Sequence, residues 1–298
     1  MPKATANGVE IEWDDRGDAA DPAVLLIMGL GGQMTRWSEE FMAALVRHGF
    51  RAIRFDNRDV GLSTKFDSAG LPDLTAIGAQ LLAGVKPDTA YTLEHMAADA
   101  VAVLDAAGVR RAHVVGASMG GMIAQLVATE HADRVLTLTS IMSSTGNPAL
   151  PRATKEANDV LMSRPQGTDT ESLVAHGLKS AKVIGSPGYP ADDEVLADRI
   201  RADLQRMHYP PGFARQLAAI WANGDRRARL AGVTAPTLVI HGADDPLVPV
   251  EGGRDTARSI PGARLIEIPG MGHDLPAALI GRITDAIAEH AREVSVPA

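Results

Sequence analysis

Ser118 sits at the centre of Gly116-Ala117-Ser118-Met119-Gly120, and the apolar run from Ala112 to Val115 leads straight into it. A strand that turns directly into a helix forces the apex residue into a strained backbone, which fits only if the residues two places either side are tiny. Gly116 and Gly120 meet that demand. The turn exposes the Ser118 hydroxyl and leaves the Met119 N–H at a helix N-terminus, where negative charge on an attacked carbonyl oxygen would develop. Gly121 to Ala128 reads as that helix, with Met122, Leu126 and Ala128 free to pack on a sheet. The competing reading is a chance match in a glycine-bearing chain, and the strand before and helix after weigh against it.

A serine hydroxyl is too weak an acid to attack unaided near neutral pH, so a base must take its proton. Among nine histidines, His273 is the best placed. The strand Ala263 to Ile268 gives way to Pro269-Gly270-Met271-Gly272-His273, a glycine-rich loop able to bring a side chain close. His290 reads as a surface residue on a solvated helix, and His241, ending a strand before Gly242, as core-facing and structural. The base needs a carboxylate behind it to fix its tautomer and stabilise the imidazolium. The loop from His241 to Pro249 offers two, and Asp245, set against Pro246, is assigned the role. Asp244 reads as a solvated loop residue or a helper. A second oxyanion donor is expected from Met28-Gly29-Leu30-Gly31-Gly32, with the Leu30 N–H as donor; Gly31 and Gly32 equally suit a simple tight turn. A base that must be neutral implies activity that falls at acid pH, below about 6 to 7.

The elements that must position these groups follow from hydrophobic pattern. Val9, Ile11 and Trp13 alternate with polar residues, as in a half-exposed edge strand. Val24 to Met28 is continuously apolar, as in a strand buried on both faces. Phe41 to Val46 predicts a helix and Arg51 to Phe55 a strand. Leu93 to Ala107 predicts a helix capped by Thr92 and stopped by Gly108, and Val114-Val115 and Val135 to Met142 predict two more strands. This alternation implies right-handed crossovers and a mostly parallel sheet, an α/β fold. From about 143 to 229 strand signals vanish, and helical runs such as Asp192 to Met207 and Phe213 to Ala222 are broken by Pro and Gly. In the first run Leu196, Ile200, Leu204 and Met207 recur at helical spacing, which favours the buried face of a helical unit over direct substrate contact. Strands resume at Thr237 to Ile240 and Ala263 to Ile268, followed by a helix from Ala277 to about Glu293. The predicted organisation is a core of 1–142 and 230–298, with 143–229 as a helical cap over the carboxyl edge of the sheet, where open α/β sheets bind ligands.

Composition narrows the function. A net charge of −8 on 298 residues argues against a phosphate-backbone partner, which needs clustered Lys and Arg. The chain has no cysteine, which excludes disulfides, thiol nucleophiles and cysteine-held zinc. No stretch approaches the roughly 18 apolar residues of a membrane span, and Met1 to Glu12 lacks the apolar run of a secretory signal, so a cytoplasmic protein is expected. The chemistry outlined needs no metal or cofactor, only a small-molecule ester; oligomeric state is not legible. Leu30, Met119, Met34, Met142 and Trp37 are candidate lining residues of an apolar pocket.

Several segments together carry a family resemblance: Leu25 to Gly29, Phe55-Asp56-Asn57-Arg58-Asp59-Val60-Gly61-Leu62-Ser63, Gly116 to Gly121, the Asp245 loop and Ile268 to His273. Over its whole length the chain resembles the α/β-hydrolases, and in particular the group of aclacinomycin methylesterases and haloperoxidase-like carboxylesterases. The order Ser118, Asp245, His273 is that family's order. The resemblance implies an α/β-hydrolase fold and carries the family's nucleophile, acid, base and oxyanion donors onto Ser118, Asp245, His273, Leu30 and Met119. Two departures stand out. Met28 occupies a place where the family commonly has histidine, and 66–90 is a long Pro- and Gly-bearing stretch that would make an extra lid wall. Asp56 and Arg58 read as residues that hold a loop near the site. The function expected is carboxylic ester hydrolysis through an acyl-enzyme. The alternatives are carbon–carbon bond cleavage or perhydrolysis by the same triad, or a non-catalytic ligand receptor on the same scaffold.

Overall fold

The computed structural model describes residues 2–6 and 8–294. Among these residues, eight strands form one sheet: β1 (Lys3–Ala6), β2 (Val9–Arg16), β3 (Ala23–Ile27), β4 (Arg51–Phe55), β5 (Ala112–Ala117), β6 (Val135–Ile141), β7 (Thr237–Gly242) and β8 (Arg264–Ile268). Their spatial order is β1-β2-β4-β3-β5-β6-β7-β8. The first two pairings are antiparallel and every later one is parallel.

The helices are α1 (Glu39–Arg47), α2 (Leu74–Leu82), α3 (Leu93–Ala106), α4 (Met119–Glu130), α5 (Lys155–Met162), α6 (Thr170–Ile184), α7 (Asp193–Arg206), α8 (Pro210–Asn223), α9 (Arg227–Leu230), α10 (Glu251–Ser259) and α11 (Ile280–Arg292). Successive strand residues point to opposite faces, and the core divides accordingly. Leu25 and Ile27 of β3 pack with the apolar stripes of α3 and α4, whereas Val24 and Leu26 pack with those of α1 and α11. Covering both faces is what a run of five buried apolar residues demands of β3. The Thr92 cap of α3 forms with its capping box, and Gly108 follows at φ +70° to end it.

The helices α5 to α8 form an inserted region between β6 and β7. Val174, Ala197 and Ile200 give it a small core of its own between α6 and α7. Two sets of buried polar bonds fix it to the sheet. On α8, Arg215 grips Asp59 with two hydrogen bonds of 2.8 and 2.9 Å. Where the chain leaves and rejoins the sheet, Arg226 donates to Ser144 C=O at 2.6 Å, to Asn223 Oδ1 at 2.6 Å and to Gln125 Oε1 of α4 at 2.9 Å. The two crossing segments touch so closely there that a Cβ on Gly146 would overlap the Gly224 carbonyl.

Four expectations are corrected. β2 is not the sheet's edge, because Lys3–Ala6 pairs alongside it as β1; four mostly small and polar residues carry no strand signal of their own. His290 is buried rather than solvated, with Nε2 bonded to Pro236 C=O at 3.1 Å. It continues the stripe Ile283, Ile287 by one more helical step, so it lies on the packed face of α11. Met34 and Trp37 are core residues and do not line the cavity described below; the Trp37 ring packs on Phe41 with centroids 4.9 Å apart. The 66–90 stretch forms no lid wall. Its helix α2 packs against α8, and none of its residues lines the cavity described below. No helix among the described residues is long and apolar enough to cross a membrane.

Candidate active site

Ser118 bridges β5 and α4 at φ 56° and ψ −120°, a backbone that L-residues reach only under strain. The fold imposes this conformation from both sides. The Ser118 N–H continues the sheet pairing to Ile141 C=O at 2.9 Å, and its C=O already accepts the Gly121 N–H of the first helical turn at 2.9 Å. A Cβ at Gly116 would overlap the Gly120 carbonyl, and one at Gly120 the Ile27 carbonyl. Both glycines are therefore sterically required by the turn.

The structure brings Ser118, His273 and Asp245 together. Ser118 Oγ lies 2.9 Å from His273 Nε2, and His273 Nδ1 lies 2.7 Å from Asp245 Oδ2. A carboxylate can only accept, so the ring proton belongs on Nδ1, which leaves Nε2 to accept from the Ser118 hydroxyl. The other oxygen of Asp245 accepts the backbone N–H groups of Leu247 and Val248 at 2.9 and 2.8 Å, which fixes the carboxylate's orientation. His241 is buried beside it, donating from Nε2 to Val248 C=O at 2.8 Å. Burial holds its pKa below the usual histidine value, so it stays a neutral packing group. Asp244 is exposed, as a solvated loop residue would be, and its carboxylate accepts the Gly270 N–H at 2.7 Å, which ties its loop to the one bearing His273.

The inserted region also positions His273. The His273 N–H donates to Ile184 C=O, at the end of α6, at 2.7 Å. Next to it, the Ser186 hydroxyl accepts the Gly272 N–H at 2.9 Å and donates to Asp274 Oδ1 at 2.5 Å. Burial pushes the Asp274 carboxyl above the usual range, opposed by Ser186 and by the Arg199 charge.

Met119 opens α4, so its N–H has no acceptor within the helix. Leu30 lies in a tight turn closed by Gly32 N–H to Gly29 C=O at 3.1 Å, and among the described residues its own N–H makes no hydrogen bond. That turn is held from the inserted region by Gln216 on α8. Its side-chain carbonyl accepts the Gly31 N–H at 2.8 Å while its amide donates to Arg58 C=O at 2.8 Å. Asp56 and Arg58 brace the neighbouring loops as expected. Asp56 accepts from the Met34 and Leu62 N–H groups at 2.8 Å each, and Arg58 forms a buried pair with Asp99 at 2.7 Å.

Above Ser118 a cavity of about 970 Å³ opens between the sheet edge and the inserted helices, the large end of the range for small-molecule sites. Leu30, Met119 and Met142 line it, joined by Met122, Phe213 and Leu217. Of the α7 stripe, Leu196 and Ile200 face the cavity, Leu204 packs within the inserted region and Met207 lies past the helix end. The stripe is thus divided between packing inside the inserted region and the wall of the cavity. Sequence reasoning missed Gln216, Ser186 and Arg199, all on inserted segments where helical periodicity is the only readable signal.

Comparison with known proteins agrees with this architecture. The alpha/beta hydrolase fold family matches residues 22–276. The rhodomycin D methylesterase DauP of a Streptomyces species is 33% identical, the match covering 98% of each chain. The putative non-heme bromoperoxidase BpoC of Mycobacterium tuberculosis is 28% identical, over 89% of this chain and 91% of its own. Among solved structures, the enol-lactonase from Burkholderia xenovorans superposes with a TM-score of 0.72 at 24% identity, over 98% of this chain and 100% of its own.

Proposed function

The chain belongs to the alpha/beta hydrolase family, and within it we propose that this member cleaves carboxylic esters with Ser118 as the nucleophile. The observation that carries the reading is the continuous relay of 2.9 and 2.7 Å from Ser118 through His273 to Asp245. His273 takes the hydroxyl proton as Ser118 attacks the acyl carbon, and Asp245 stabilises the imidazolium that forms. The oxyanion rests on the N–H groups of Leu30 and Met119. His273 then gives its proton to the leaving alcohol and activates the water that releases the acid. Residues 143–229 act as the cap of this site, and 1–142 with 230–298 as its core.

Support for an ester over other acyl substrates comes from the methylesterase relative at 33% identity. The test is hydrolysis of short- and long-chain p-nitrophenyl esters by the wild type and by Ser118→Ala. Turnover that falls by about three orders of magnitude or more in the variant is expected. Ester hydrolysis that survives Ser118→Ala, or binding without turnover in the wild type, would overturn the proposal; the second result would make the protein a receptor.

A further inference from the structure

Most charged groups around the cavity are committed to one another. Lys182 pairs with Asp193 at 2.5 Å and Arg36 with Asp203 at 2.6 Å. Asp244 is held by the Gly270 N–H at 2.7 Å, and Asp274 by the Ser186 hydroxyl at 2.5 Å. Arg199, on α7, lines the same cavity and is the exception. Among the described residues its guanidinium makes no hydrogen bond, and no carboxylate lies within 4.0 Å of it. Its side chain is exposed on the cavity wall; desolvation and then the Arg36 cation lower its pKa, while Asp203 and Asp274 oppose them from beyond pairing distance.

An unpaired guanidinium on the wall of a largely apolar cavity is placed to meet an anionic group on whatever molecule fills that cavity. Its planar fork of donors matches a carboxylate bidentately, a geometry that lysine cannot supply. We infer that the substrate is an ester bearing a second, ionised carboxyl group, and that Arg199 binds that carboxylate while the ester carbonyl lies at Ser118. The remaining cavity wall accepts the apolar body between the two ends. This deepens the esterase reading and rests on it for the position of the carbonyl, though not for the anion site itself.

Two assays separate those claims. In the first, kcat/KM is measured for mono-p-nitrophenyl glutarate, which is anionic, and for p-nitrophenyl butyrate, which is neutral. The ratio of the two is expected to fall about tenfold or more in Arg199→Gln, with Arg199→Lys between that variant and the wild type. In the second, which needs no turnover, binding of 2-naphthoate and of 2-naphthamide is measured by calorimetry. The wild type should prefer the naphthoate, and Arg199→Gln should lose that preference while keeping the wild-type unfolding transition; Arg199→Lys replaces it if the Gln variant does not fold. Equal binding of the two naphthalenes by the wild type, no binding of either, or an unchanged ester ratio in the variant overturns the inference. A wild type that prefers naphthoate but hydrolyses neither ester retains the anion site and refutes the esterase reading instead.

Discussion

Replacing Gln216 by leucine tests whether the inserted helices take part in the chemistry or only enclose it. Gln216 is fully buried and does not line the cavity, so its removal alters no substrate contact. It deletes two hydrogen bonds of 2.8 Å, one from the Gly31 N–H and one to Arg58 C=O. The Arg58 carbonyl is then left buried without this partner, at about 1–3 kcal/mol, and the Gly31 N–H, nearer to solvent, costs less; the sum is about 2–4 kcal/mol of stability. If Leu30 is an oxyanion donor, freeing its turn also weakens that contact. Complete loss of one donor would cost about 100- to 1,000-fold in kcat, so a displaced donor should cost about 10- to 100-fold. Gln216→Glu separates the two effects. A carboxylate still accepts from Gly31 but sets an oxygen against the Arg58 carbonyl in a buried site, so it should lose at least as much stability as the leucine variant and keep most of kcat. Initial rates on p-nitrophenyl butyrate and urea unfolding supply the readouts, with KM expected to change little in either variant. A leucine variant with wild-type kcat, or a glutamate variant as slow as the leucine one, would refute the reasoning.

Ser118→Gly should abolish turnover and yet raise the unfolding temperature. Relief of strain worth about 1–3 kcal/mol exceeds the added chain entropy of glycine, about 0.5–1 kcal/mol; calorimetry that finds the variant less stable contradicts the strain at φ 56°. Gly120→Ala should cost more than about 4 kcal/mol, because its methyl group would meet the Ile27 carbonyl, which is backbone and cannot rotate away; a soluble variant with a wild-type melting curve would count against that. Acid sensitivity of the fold should come partly from His113, whose pKa burial lowers to about 4. In the unfolded chain a histidine takes up its proton near pH 6.5. Stability is therefore retained above that value and erodes as pH falls toward about 4, by up to about 3 kcal/mol for this group. Urea midpoints taken between pH 7.5 and 5 should depend less on pH in His113→Asn, and an unaltered slope would show that other groups carry the effect.

The sheet and the Ser118 turn were legible because their constraints are local. A buried parallel strand needs an unbroken apolar run, and β3 has one; a strand that becomes a helix within one residue needs small neighbours, and Gly116 and Gly120 stand there. Loops reaching one sheet edge were enough to pair Asp245 with His273. Longer-range facts left weaker marks. Whether His290 faces water or core depends on how α11 rolls on the sheet, which one polar residue at the end of a stripe does not reveal. Met34 and Trp37 look like pocket residues by type, but the path of the chain after Gly32 buries both, Trp37 against Phe41 of α1. Gln216 and Arg199 gain their meaning from what α8 and α7 are laid against, and no pattern within either helix encodes that.

The joint around Arg226 bears on how such a chain changes over evolutionary time. Both strands of the crossing are stitched to α4 at one point, with the Gly146 and Gly224 backbones in contact. A segment secured at its base in this way can be lengthened, shortened or exchanged farther out while the sheet keeps its register. Such drift would have limits, because Ile184, Ser186 and Gln216 of that same segment hold the His273 loop and the turn after Gly29. Changes at cavity-lining positions such as Arg199 leave those three supports intact, whereas replacing the whole segment would demand that they be rebuilt.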